Sequence, residues 1–179
     1  MTTQEDIAFR LASSSDTLQV LAINTYWIAQ QDTPRKQEGL LRNPLSGAAL
    51  NALIARAEIV VAVRRDLVLA YYFATDADFS PEVARRRALV QARVAAGLMP
   101  SARYAYLTQA AVMAGHQKTG LGKSLLAFLK TRVAHKFDVL IGEIDDENTN
   151  SQIANLRSGW SRLHYEAERK AWIVATPTS

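Results

Sequence analysis

Cysteine is absent from the 179-residue chain, so no disulfide, thiol nucleophile or thiolate metal site is open to it. Imidazole comes only from His116, His135 and His164, which stand at no ligand spacing, so no metal site is expected. No apolar run reaches the ~18 residues of a membrane span. The opening stretch MTTQEDIAFR lacks the basic-then-apolar order of a secretion signal. A cytoplasmic protein with no membrane association is the expectation. Charge of one sign is also scarce: 21 Lys and Arg against 17 Asp and Glu leave a net +4, too small a surplus to point to nucleic acid. Internal repeats and low-complexity linkers are missing as well. What is there, a chain 49% hydrophobic throughout, suits a single domain over residues 1–179.

Helical and strand periodicities alternate along the chain, which indicates a mixed α/β sheet. IAFRLA alternates and precedes SSSD, a helix cap ahead of TLQVLAINTYWIAQQ. Asn43-Pro44 breaks the chain before a second helix, GAALNALIARA, and EIVVAVRRD and LVLAYYFATD then read as a hairpin turning at Arg65-Asp66. FSPEVARRRALVQARVAAG carries a capping Ser80, Pro81 at a first helical position and a closing Gly97. Its Arg85, Arg86, Arg87 and Arg93 read as a solvated basic face, with a phosphate-bearing partner as the alternative. A strand over Tyr104 to Met113 leads into GHQKTGLGKS, after which Leu121, Leu125, Leu129 and Val133 line one side of a helix.

GHQKTGLGKS thus joins a strand to a helix start, where unpaired amides and the helix dipole favour an anion. A nucleotide-triphosphate loop requires glycine five places before Gly122, where Gln117 stands, so that reading fails on spacing. Gln117-Lys118-Thr119-Gly120-Leu121-Gly122, with Val112 five places upstream, instead resembles the pyrophosphate loop of the GNAT-type N-acetyltransferases. A second stretch extends the resemblance. Glu143 and Ile144 on a strand are followed by Asn148, by Ser151 three later, and by Gly159-Trp160, in the family's order and separation. The resemblance implies one GNAT-like domain: a central, mostly antiparallel twisted sheet of about seven strands with a splayed pair at the coenzyme site and helices on both faces.

It further implies acetyl-coenzyme A as cosubstrate, without a metal, and transfer of the acetyl group to a primary amine by direct attack. Expected coenzyme-binding positions are Ala111, Val112, Met113, Gln117, Lys118, Thr119, Gly120, Leu121, Gly122, Lys123, Asn148, Ser151 and Asn155. Glu143 occupies the place where some relatives carry a general base; an ordered water is the alternative, with Glu143 then a structural glutamate paired to Arg157 or Lys170. Many relatives place a tyrosine acid seven residues after the motif Asn, where this chain has Asn155; the thiolate leaves tolerably without help, and Tyr165, Tyr104 or water is the expected substitute acid. That departure keeps open a non-catalytic acyl-coenzyme-A sensor of the same fold. The acceptor is expected to be a small-molecule or peptide amine, met by Tyr26, Trp27, the segment QQDTPRKQEG and the stretch from Trp160 to Trp172. The helix from Pro81 to Gly97 is expected to cover the cleft or to pack in a homodimer.

Overall fold

Asp16 sets the first turn. Its carboxylate accepts from the Ser13 N–H at 2.7 Å and the Ser13 hydroxyl at 2.9 Å, while Arg10 donates to its two oxygens at 2.6 and 2.8 Å. The Arg10 hydrogen bonds, helped by Ser13, outweigh burial and bring the Asp16 carboxyl down from 3.8 to about 2. This is the cap that SSSD signals; it opens a 3-10 turn, Ser14–Asp16, from which α1 (Thr17–Ala29) continues.

The computed structural model describes residues 7–33, 41 and 43–179, so the start of the chain and the PRKQEG part of the expected acceptor segment QQDTPRKQEG lie outside the described residues. Two compact units divide the chain: Met1–Phe73 with Ala110–Leu129, and Ala74–Gln109 with Lys130–Ser179.

The first unit holds most of a sheet in the order β1-β2-β3-β5, formed by β1 (Ala8–Leu11), β2 (Ile59–Arg64), β3 (Leu67–Thr75) and β5 (Leu107–Val112). β2 runs antiparallel to both of its neighbours. Flanked on both edges, it reads IVVAV with no polar alternation, and Ile59, Val60, Val61 and Ala62 are fully buried. The hairpin turns at Arg65, which adopts a left-handed φ of 56°. α1 buries Val20, Ile23, Asn24 and Trp27, α2 (Gly47–Ala55) buries Leu50 and Leu53, and α4 (Leu121–Val133) buries Leu121, Leu125, Leu126 and Leu129. Each such leucine contributes about 1.5–3 kcal/mol of apolar transfer. Asn24 answers its own burial: its amide donates to the Tyr71 hydroxyl at 2.9 Å, and its oxygen accepts from the Leu45 N–H at 2.9 Å, tying α1 to the segment before α2.

The second unit holds a sheet in the order β4-β6-β8-β7, from β4 (Tyr104–Ala105), β6 (Val139–Asp145), β7 (Ser161–Glu166) and β8 (Ala171–Pro177). β4 lies parallel to β6, and β6-β8 and β7-β8 are antiparallel. On one face α3 (Pro81–Ala95) buries Val83, Arg86 and Val90, with Val90 packed in a cluster with Tyr104, Ile141, Ile173 and Ala175. Ser80 caps α3 and Pro81 opens it, as its sequence indicates. α5 (Thr149–Arg157) buries no residue.

The mixed, mostly antiparallel α/β architecture expected from the sequence is present, with eight strands among the described residues, in two four-stranded sheets. The eighth arises because the strand read as Tyr104 to Met113 is broken at Tyr106: β4 joins one sheet and β5 the other. The Tyr106 carbonyl, out of the ladder, accepts from Arg86 Nη1 at 3.3 Å.

Gly142 on β6 shows how tightly the second sheet is covered. A Cβ there would stand 2.9 Å from Thr108 Oγ1 and 3.2 Å from Trp160 Cζ3, so any side chain must displace the indole. Gly142→Ala is expected to destabilise by about 1–3 kcal/mol through overpacking. Thermal unfolding should show a Tm lower by roughly 2–4 °C for each kcal/mol. An unchanged Tm would mean that Trp160 does not lie on this strand.

Candidate functional site

The loop after β5 belongs to the first unit, and its shape follows from three residues in left-handed backbone conformation, Gly115 at φ 85°, Lys118 at φ 62° and Gly120 at φ 84°. At Gly120 the left-handed φ strains any other residue, although a Cβ would meet no atom within 4 Å. Local hydrogen bonds brace the turn: His116 N–H to Met113 O at 3.0 Å, Thr119 Oγ1 to His116 O at 2.8 Å, and Gly115 N–H to Gln117 Oε1 at 2.8 Å. α4 starts directly behind it, and its ladder opens with Ser124 N–H donating to Gly120 O at 3.1 Å. The first-turn amides of Leu121, Gly122 and Lys123 precede that bond and have no carbonyl within the helix to pair with. A Cβ on Gly122 would meet only Val112 Cγ2, at an ordinary 3.9 Å.

Three features of this loop fit a phosphate-bearing group. The amides point out of a helix start carrying about half a positive charge. Gly120 and Gly122 place no side chain over them. Gln117 Nε2 is buried with no partner among the described residues, a polar hydrogen that a ligand oxygen can satisfy. The expected coenzyme positions Ala111 to Met113 and Gln117 to Lys123 are therefore brought together in one stretch of backbone. Part of that backbone is already engaged: the Met113 N–H donates to Leu69 O at 2.7 Å, and the Val112 carbonyl accepts from Trp27 Nε1 at 2.8 Å.

The other expected positions lie in the second unit. Asn148 caps α5, its side-chain oxygen accepting from the Ser151 N–H at 3.0 Å, and is 5% exposed. The spacing of Asn148 and Ser151 is thus accounted for by capping geometry. Asn155 turns inward to its own helix, its amide donating to Ser151 O at 2.8 Å, and its main-chain carbonyl accepts from Trp160 N–H at 3.1 Å.

Glu143 is surrounded by cations. Arg85 and Arg86 reach Oε2 at 2.7 and 2.9 Å, and Arg169 donates to Oε1 through Nε at 3.0 Å and Nη2 at 2.9 Å. Glu166 pairs with Arg85, and Glu82 lies 3.6 Å from Arg169. Burial alone raises the Glu143 carboxyl, but the Arg86 charge and the three arginines' hydrogen bonds outweigh it and bring it from 4.5 to about 2. Burial correspondingly pulls the Arg86 guanidinium below its ordinary value, with Glu143 opposing. This corrects two expectations. The arginines of α3 are not a solvated face, since Arg86 is 1% exposed. The partners of Glu143 are Arg85, Arg86 and Arg169 rather than Arg157 or Lys170. A carboxylate with both oxygens in ion pairs and so low an affinity for protons is poorly suited to take one from an amine.

Tyr165, the expected acid, is not brought to Glu143. Across β6 and β8, Glu143 faces Ile173, whereas Tyr165 on β7 faces Trp172, the next residue of β8. Residues directly opposite share a face and neighbours along a strand alternate, so Glu143 and Tyr165 lie on opposite faces of the sheet. They cannot act on one reacting centre. The Tyr165 hydroxyl donates to Asp146 Oδ2 at 2.7 Å, which raises its pKa and makes it a weaker acid. Its ring stands 5.0 Å from that of Trp172, over which Arg162 lies at 4.6 Å. Tyr104, the other phenol considered, donates to Pro100 O at 2.6 Å. Among the described residues no group of His, Asp or Glu could hold a metal ion, and no helix is long and apolar enough to cross a membrane.

Solved structures now bear on this arrangement. No protein-family model and no curated protein matches the sequence, but many structures match the fold. A GNAT-family acetyltransferase from Listeria monocytogenes superposes with a TM-score of 0.63 at 9% identity, over 96% of this chain and 94% of its own. The chain has the GNAT acetyltransferase fold. Ribosomal-protein-alanine N-acetyltransferase from Brucella melitensis shares this GNAT fold at a TM-score of 0.62 and 19% identity, over 95% of this chain and 99% of its own. Diaminobutyrate acetyltransferase from Paenibacillus lautus, solved with L-2,4-diaminobutyric acid and coenzyme A, matches at a TM-score of 0.62 and 15% identity, over 98% and 97% of the two chains.

The arginine clamp on Glu143 has a measurable consequence for stability. Its folded pKa lies below the unfolded 4.5, so the clamp stabilises above about pH 5 and the contribution is lost as pH falls toward 2. The shift corresponds to on the order of 3 kcal/mol at neutral pH. Glu143→Gln is expected to lower the Tm at pH 7 and to differ progressively less from the unmodified protein between pH 5 and pH 2.5. A pH-independent difference would show that the carboxylate is not paired.

Proposed function

We propose that this protein is an N-acetyltransferase that moves an acetyl group from acetyl-coenzyme A to a primary amine by direct attack. The observation that carries the proposal is the start of α4: unpaired first-turn amides, Gly120 and Gly122 without covering side chains, and the unpartnered Gln117 Nε2 in the loop that leads into it. Bound coenzymes in solved structures of this fold support the same reading, among them the coenzyme A of the Paenibacillus lautus enzyme.

In this reading the amides of Leu121, Gly122 and Lys123 take the pyrophosphate, and Gln117 adds a side-chain donor. The thioester carbonyl lies at the end of β5, where a backbone N–H stabilises the developing oxyanion; such a donor is worth about 2.7–4 kcal/mol. Glu143 holds α3 to its sheet and is not the base, so the amine proton passes to water. A thiol of reference pKa about 8.5 is a tolerable leaving group, which lets the transfer proceed with Asn155 in the place of the tyrosine acid. The acceptor is a small-molecule or peptide amine. The engaged side chain of Asn155 also favours a second reading, a coenzyme-binding sensor without catalysis.

Acetyl-coenzyme A at a hundred times its Kd is expected to stabilise the protein by about 2.7 kcal/mol, and ATP with magnesium by nothing measurable. Gly122→Val should leave the Tm of the free protein within about 2 °C, since its Cβ meets only Val112 at 3.9 Å. It should weaken coenzyme binding at least about tenfold in calorimetric titration. Stabilisation by ATP alone, or unaltered affinity in the variant, would sink the proposal.

An amine panel then separates enzyme from sensor. Glu143→Gln is expected to keep turnover within a few-fold per folded molecule. A loss of about 10²–10⁴ that recovers as pH rises would make Glu143 the base after all. Failure of the unmodified protein to acetylate any peptide amino terminus, polyamine or aminoglycoside, despite binding the coenzyme, would establish the sensor.

A further inference from the structure

The peptide unit between Val112 and Met113 is held at both ends. Its carbonyl accepts from Trp27 Nε1 at 2.8 Å, and its N–H donates to Leu69 O on β3 at 2.7 Å. Because the peptide is planar, two bonds in opposite directions fix its rotation. Trp27 is 2% exposed on α1, and its ring meets that of Tyr26 edge-on at 5.0 Å, so the donor itself is immobilised.

Strand geometry says what this fixation leaves available. The N–H and C=O of one residue point to the same edge of a strand, and the edge alternates along the chain. Met113 N–H points to β3, so the N–H and C=O of Val112 point to the other edge. β5 is the last strand of its sheet, and that edge is covered by no strand of it. Two groups of opposite polarity therefore stand side by side there, one a donor for an oxyanion and the other repulsive to it. The indole N–H engages only the carbonyl.

Resting on the acetyltransferase reading, we propose that Trp27 is a positioning residue for the transfer. It takes up the Val112 carbonyl, fixes the peptide plane, and leaves the Val112 N–H as the backbone donor to the thioester carbonyl. Without the indole N–H, the Val112 carbonyl is free to turn toward the developing oxyanion or to bind a coenzyme amide in a competing register. In the sequence Trp27 stands at helical spacing within the expected acceptor region, a placement that fits a core residue equally well.

The test uses acetyl-coenzyme A labelled with ¹³C at the acetyl carbonyl, bound to the full chain and followed by difference infrared spectroscopy. Trp27→Phe removes the N–H but keeps an aromatic ring. A second variant carries β-(3-benzothienyl)alanine at position 27, which has the same shape as tryptophan with sulfur in place of the N–H. The bound thioester carbonyl of the unmodified protein is expected to absorb at lower frequency than in water. Both variants should lose roughly half or more of that displacement, while calorimetric affinity stays within about threefold. With an acceptor in hand, kcat should fall about 10- to 100-fold at little change in the KM for acetyl-coenzyme A. If the benzothienyl variant, folded with an unchanged Tm, keeps the full displacement and kcat, Trp27 only packs and the inference is overturned. If the unmodified protein does not bind acetyl-coenzyme A at all, the acetyltransferase reading itself fails.

Discussion

Arg86 can be buried under α3 only if its charge is met there, and the meeting with Glu143 organises much of the second unit. The ion pair lies between a helix and the middle of a sheet, so α3 is fixed in position along β6. Arg85 and Arg169 complete the shell around the same carboxylate, and Glu166 and Glu82 answer the added positive charge. Removing one member of such a cluster leaves an uncompensated charge, which typically costs about 3–5 kcal/mol. The remaining Arg86 hydrogen bond goes to the Tyr106 carbonyl, at the residue where the chain leaves one sheet for the other. One buried guanidinium thus links the placement of a helix, the commitment of a strand carboxylate and the break between β4 and β5.

The same requirement, that a polar group out of water find a partner, explains the first unit's site in reverse. Across the peptide unit between Val112 and Met113 the carbonyl is met by Trp27 and the N–H by Leu69, and Asn24 is met by Tyr71 and Leu45. At the start of α4 no such satisfaction is supplied by the helix. A chain that meets these groups, then presents successive unpaired amides beside two glycines at the start of α4, has the layout of a surface completed by an anion.

The loop was legible in the sequence because its signals are local: an apolar strand, glycines at fixed spacing, and a helix whose Leu121, Leu125 and Leu129 recur on one side. The cap at Ser80 and Pro81 was legible for the same reason. Glu143 was not, because its partners are 26 to 58 residues away along the chain. A weaker signal was nonetheless present. Arg86 falls between Val83 and Val90, on the stripe that α3 buries, so helical periodicity places a charge in an apolar row. A buried arginine needs a carboxylate, and β6 offers two, Glu143 and Asp145. The break at Tyr106 had no local signature, since Tyr104 to Met113 is continuous in β propensity and the change of sheet depends on tertiary partners.

The most direct measurement of the central claim is the amide ¹H–¹⁵N spectrum of the labelled protein titrated with acetyl-coenzyme A. If the start of α4 holds the pyrophosphate, the largest shifts fall on Gly120, Leu121, Gly122 and Lys123, with smaller ones along Ala111 to Met113, and coenzyme A lacking the acetyl group reproduces the α4 shifts. Saturable binding that leaves those four amides unmoved would contradict the claim, whatever else in the spectrum changed.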